Sequence, residues 1–134
     1  MSESFAVTEA EASVWLERYR NAWIGRDTEA VLRLFTADAT YRESRFRPAM
    51  IGHDAIRRYW DNQVVAAQRD NAFDFEIFAV RGAQVFTHWT AHFTWLPVTG
   101  ILELDGVARI SFVKSGDGVI RAATFEEWIE KRDY

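Results

Sequence analysis

Glu43 is a carboxylate in a chain crowded with rings: 10 Phe, 6 Trp and 4 Tyr stand among 134 residues. An apolar setting disfavours the charged form of a carboxyl group, so one placed among rings can act as a general base or acid near neutral pH. Periodicity names the rings that share its surroundings. Tyr19 and Trp23 fall on one helical face and Trp60 on that of a later helix. Tyr41 alternates with Glu43 on a strand, as Trp89, Ala91 and Phe93 do on another. The competing reading of Glu43 is a salt bridge at a pocket rim with Arg42, Arg45 or Arg47. Glu126 and Glu127, beside Trp128, form a second acidic pair, readable from its neighbours as a solvated edge near Lys131 and Arg132. His88 and His92 share one face of a strand, and imidazole suits zinc or copper. Their spacing along a strand is too wide for one ion and no third ligand is near, so no metal is expected, and both are assigned to the outer sheet face.

The elements that must position these groups divide the chain in two. The first half reads as helices. Thr8 and Glu11 make a capping-box pattern, and Trp15, Leu16, Tyr19 and Trp23 follow at steps of three and four until Gly25 stops the helix. Asp27 caps a short second helix through Val31, Leu34 and Phe35. Residues 39–43 alternate as a short strand, Pro48 and Gly52 punctuate a loop, and a third helix from His53 carries Ile56, Trp60, Val64 and Ala67 on one stripe until Asp70 and Asn71 end it. The second half reads as strands: one through Phe73, Phe75, Ile77 and Ala79, a turn at 81–83, a long strand over 85–96, another over 101–114, a turn at 116–118 and a last strand over 119–131. On the strand over 85–96 the odd positions are apolar and the even ones include His88 and His92, which fixes the register. Helices followed by an antiparallel meander make an α+β layer architecture.

Composition narrows the function class. A chain of this length predicts one domain, over residues 1–134, able to hold a core without staples. A net charge of -4 argues against a protein dedicated to phosphate backbones, and the arginines of the helices, Arg20, Arg26, Arg33, Arg57 and Arg58, have no aromatic interleaving. No nucleic acid is expected as a partner. There is no cysteine, hence no disulfide and no thiolate metal site. Apolar runs are short and residues 1–8 contain no apolar signal core, so neither a membrane span nor a secretory signal is expected, and the cytoplasm is the expected compartment.

The stretch YRNAWIGRDTEAVLRLFTADATYRE, then IGHDAIRRYW, then FVKSGDGVIRAATFEEW resembles the nuclear transport factor 2-like superfamily, and within it the SnoaL-like and ketosteroid isomerase branch. The resemblance covers nearly the whole chain. It implies a cystatin-like cone, with three N-terminal helices packed in a strongly curved antiparallel sheet around a deep apolar pocket, usually in a homodimer. It also implies roles. Tyr19, in ERYRNA, matches the tyrosine that donates to a developing enolate oxygen in the isomerases, and Glu43, in DATYRE, falls where their aspartate base sits. Their second oxyanion donor, a protonated aspartic acid, aligns near Arg109, and Trp60 stands where a supporting tyrosine would be. An acid on the last strand is the base in SnoaL-like polyketide cyclases, which keeps Glu126 and Glu127 in contention.

Two function classes follow. The first is a cofactor-independent isomerase, cyclase or hydratase-type enzyme in which Glu43 moves a proton while Tyr19 and Arg109 hold the oxygen that gains charge. Trp23, Tyr41, Trp60, Trp89, Phe93, Glu126 and Trp128 would line its site, for an apolar small molecule carrying a carbonyl or acid group. The second is a non-catalytic module binding a ligand or a protein. In either case the outer sheet face, with Phe86, His88, Thr90 and His92, is expected to form a homodimer.

Overall fold

Thr8 opens the first helix as its spacing to Glu11 requires. The computed structural model describes residues 5–133, and in it the Thr8 hydroxyl accepts from the Glu11 amide at 3.0 Å while the Glu11 carboxylate accepts from the Thr8 amide at 2.9 Å. Helix α1, Glu9–Gly25, buries Trp15, Leu16, Tyr19 and Trp23. Its end lies one residue beyond the expected one: Gly25 stays helical and Arg26 takes the left-handed conformation, φ 52°, its amide donating back to Ala22 and Trp23. Asp27 then accepts from the Ala30 amide at 3.0 Å and caps α2, Thr28–Leu32. This helix is shorter than its apolar spacing suggested, because Phe35 already belongs to strand β1, Phe35–Arg42.

After β2, Met50–Ile51, helix α3 runs over Gly52–Trp60 and passes into one π-helical turn, Asp61–Val65. Ile56, Trp60 and Val64 are all buried as one stripe. The expected continuation of this helix to Asp70 is overturned, since strand β3, Gln68–Arg81, begins first. Asp70, at φ 57°, sits in the irregularity between Arg69 and Ala72 that admits the strand, and Asn71 is tied to the Trp23 carbonyl at 3.0 Å. Strands β4, Gln84–Trp95, β5, Gly100–Lys114, and β6, Ile120–Asp133, complete the meander.

These strands form one curled six-stranded sheet in the order β2-β1-β6-β5-β4-β3. Two parts of the expected architecture need correcting. The sheet is not antiparallel throughout, because β1 pairs with β6 in parallel: the chain leaves β1, builds α3 and four strands, β2 to β5, and returns beside it. The three helices are not all N-terminal to the sheet either, and α2 has only five residues.

The core lies between α1 and the inner face of β4, β5 and β6. Val85, Thr87, Trp89, Ala91 and Phe93 are buried while His88 and His92 point the other way, which is the register that the alternation predicts. Many of the rings pack in this core. Trp15 stacks on Tyr19 at 5.5 Å, Tyr19 on Phe125 at 5.2 Å, and Tyr41 on Phe125 at 4.9 Å. Gly106 permits one further close approach, for a Cβ there would meet the Trp89 indole at 2.7 Å and the Trp128 carbonyl at 2.8 Å. No helix among the described residues is long and apolar enough to cross a membrane.

Candidate functional site

Parallel pairing of β1 with β6 sets Tyr41 opposite Phe125 and Arg42 opposite Glu126. Carried one residue further, the same register brings Glu43 beside Glu127 on the inner face. Around them α1 supplies Tyr19 and Trp23, α3 supplies Tyr59, the π-helical turn Val64, and the strands Gln68, Phe73, Trp89, Leu104 and Ile129. Together they line a cavity of about 70 Å³. Two hydrogen bonds join polar groups of its wall: the Tyr19 and Tyr41 hydroxyls lie 2.9 Å apart, and the Tyr59 hydroxyl donates to Glu43 Oε2 at 2.6 Å.

The two carboxyl groups sit in different media. Glu43 keeps 26% of its side chain exposed and has the Arg47 guanidinium 3.7 Å away. Glu127 is buried, at 7% exposure. Burial first, and the neighbouring Glu43 charge second, push its pKa from 4.5 up to about 8, with the Tyr41 hydroxyl opposing them. Glu127 therefore holds its proton at neutral pH. Tyr19, Tyr41 and Tyr59 are pushed well above the usual phenol value, chiefly by burial, and stay neutral donors. The Trp89 indole Nε1–H, in the cavity wall, is buried without a partner.

Five of the residues expected in the site meet there: Tyr19, Trp23, Tyr41, Glu43 and Trp89. Trp60 and Phe93 are one layer away, Trp60 edge-on to Tyr19 at 6.0 Å and Phe93 against Trp23 at 5.5 Å. Arg109, Glu126 and Trp128 are on the other face of the sheet. There Arg109 Nη2 donates to Glu126 Oε1 at 2.8 Å and Arg45 Nη2 to Oε2 at 2.9 Å, while both guanidinium groups lie over the Trp128 ring, at 5.6 and 4.6 Å. Burial raises the pKa of Glu126, but the two arginines outweigh it and hold the group below its usual value. His88, also outside, pairs with Asp105 at 2.8 Å.

Residues 16–123 match the family model of the SnoaL-like domain. The chain belongs to this family. It lies within the nuclear transport factor 2-like superfamily, and solved structures agree on the fold. A ketosteroid isomerase-like protein from Erwinia carotovora atroseptica superposes with a TM-score of 0.70 at 19% identity, over 90% of this chain and 96% of that one. The hexachlorocyclohexane dehydrochlorinase LinA-type3 from Novosphingobium barchaimii LL02 gives 0.75 at 11% identity, over 93% and 88%. SalBIII, an epoxide hydrolase/cyclase-like enzyme in pyran ring formation in polyether salinomycin, gives 0.75 at 18%, over 91% and 92%. No curated protein matches the chain by sequence. At these identities the likeness is one of fold.

In this SnoaL-like chain the inward acid of the last strand is Glu127, and simple alternation points to its neighbour. Ala122 faces inward, so counting by twos selects Glu126. A bulge intervenes, because Phe112 pairs with Ala122 and Ser111 with Thr124, leaving Ala123 over and reversing the phase. The apolar residues two positions either side of Glu127, Phe125 and Ile129, are the sequence signal for the corrected phase. Tyr59 and Gln68 also line the cavity, and neither stood on a predicted inward face.

Proposed function

We propose that this SnoaL-like protein is a cofactor-independent enzyme that moves a proton on an apolar carbonyl compound held in the mouth of a cone. The observation that carries the reading is the pairing, in one ring-lined cavity, of a half-wet carboxylate with a buried carboxylic acid. Glu43 is the base and takes a proton from the carbon beside the carbonyl. The Tyr59 hydroxyl holds its Oε2, and Oε1, which faces the exposed Arg47 guanidinium at 3.7 Å, is the atom that takes the proton. Negative charge then develops on the carbonyl oxygen, where Glu127, as a neutral acid, and Tyr19 or Tyr41 donate hydrogen bonds. Return of the proton from Glu43 to a different carbon completes an isomerisation; transfer of the Glu127 proton to a departing hydroxyl completes a dehydration. Arg109 has no part in this scheme, being bound to Glu126 outside. The neutral donor that the isomerase resemblance places near Arg109 is supplied instead by β6.

The cavity fits only the reacting end of such a substrate, so the remainder lies toward Glu43 and the exposed loop after it. Under the same reading the outer face of the sheet, with Phe86 and the Arg45, Arg109 and Trp128 cluster, covers itself by forming a homodimer. The test of the chemistry is deuterium uptake from D2O into the α-position of a small cyclic ketone, followed by NMR. Glu43→Gln should slow catalysed uptake by about 100-fold or more, since it keeps shape but removes the base. Equal uptake by Glu43→Gln and the parent would reject Glu43 as the base.

A further inference from the structure

A concavity larger than the Glu43 cavity lies on the far side of α1. A groove of about 590 Å³ runs between α1, α2 and the hairpin that joins β5 to β6, and it shares no residue with the Glu43 cavity. Three arginines line it, each from a different element: Arg18 from α1, Arg33 at the C-terminal cap of α2 and Arg121 from β6. The single carboxylate in its wall is Asp27, whose Oδ1 is engaged in capping α2. Arg121 is held in place by Ser115 at 3.0 Å and Asp117 at 3.3 Å. Arg18 and Arg33 have no carboxylate within ion-pair distance among the described residues. Below the charges the floor is apolar, with Leu34 and Ile120.

Arg121 is already paired with Asp117, so Arg18 and Arg33 are the wall cations left without a carboxylate at ion-pair distance among the described residues, and in a chain of net charge -4 their placement in one concavity is local. Guanidinium groups offer forked donors that match the oxygens of a carboxylate or a phosphate. We propose that this groove is a second binding site, for a small organic anion whose carboxylate or phosphate ester is gripped by Arg18, Arg33 and Arg121 and whose apolar part lies on Leu34 and Ile120. The site stands apart from the proposed proton-transfer chemistry and does not depend on it. Its volume is that of ordinary small-molecule sites, which span roughly 300–1,000 Å³.

The test is an amide NMR titration of the full chain at low ionic strength with phenyl phosphate, benzoate and phenol. The expected result is saturable shifts at Asn21, Gly25 and Val119 with one or both anions and none with phenol. Preference between phenyl phosphate and benzoate then identifies the head group. Arg18→Gln combined with Arg33→Gln should weaken binding by about tenfold or more, as each removes a charge-assisted contact, while Glu43→Gln leaves it unchanged. Should the double variant lose its folded spectrum, Arg18→Gln alone, at an exposed helical position, serves the same purpose. Absence of saturable shifts with either anion, equal shifts with phenol, or an affinity indifferent to the arginine substitutions would overturn the proposal.

Discussion

Glu127→Gln isolates the energetic signature of the buried acid. The folded chain keeps this proton up to about pH 8, whereas the unfolded chain releases it near the ordinary value of 4.5. Between those values the folded state binds more protons, so stability falls as pH rises: the contribution of Glu127 is fully present below 4.5 and is lost as pH passes through about 8. The slope approaches 1.4 kcal/mol per pH unit, which over the interval from pH 5 to pH 7 amounts to about 2 to 3 kcal/mol. Glutamine has nearly the same shape and does not titrate. The stability of Glu127→Gln minus that of the parent should therefore rise by about that amount between pH 5 and pH 7, because the other titrating groups are common to both chains and largely cancel. Urea unfolding at one-unit intervals from pH 5 to pH 9 measures the difference. A difference that stays constant over the range would mean that Glu127 is ionised in the folded protein, and the acid-base assignment would fall with it.

Gly106→Ala places a Cβ against the Trp89 indole and the Trp128 carbonyl, so it should cost about 1–3 kcal/mol in urea unfolding and shift tryptophan emission, and parental stability would show that Trp89 does not lie against β5. Tyr59→Phe removes the 2.6 Å bond to Glu43 and should cost about 1 kcal/mol; no loss would mean that the bond is not kept in solution. Light scattering at micromolar concentration should give twice the 15.5 kDa chain mass, and a mass near the single chain would reject the outer-face dimer.

What could be read in advance was what repeats. Period-2 alternation on β4 separates Trp89 and Phe93 from His88 and His92 without knowledge of any partner, and a capping box is complete within four residues. Long-range pairing is not legible in that way. Nothing local shows that β1 runs parallel to β6, although that pairing is what brings Glu43 to Glu127. Nor does alternation survive a bulge: one surplus residue at Ala123 exchanges the faces of Glu126 and Glu127. The same limit applies to α3, whose apolar stripe continues through Val64 while the backbone has already widened into a π turn.

The position of Arg109 has a chemical consequence. A guanidinium inside the cavity would stabilise the carboxylate form of Glu127, as the pair of arginines outside does for Glu126. Glu127 would then carry a charge at neutral pH and could donate nothing to an oxyanion. With Arg109 and Arg45 both engaged by Glu126, the charged neighbour among the described residues that moves the Glu127 pKa is Glu43, and it moves it upward. Ionised Glu43 helps keep Glu127 protonated, and in the proposed reaction, once Glu43 accepts a substrate proton, that influence is removed and Glu127 becomes a stronger acid than before. In that proposed scheme a proton arriving at one end of the cavity makes the proton at the other end easier to release, which is the coupling that a transfer from carbon to oxygen requires.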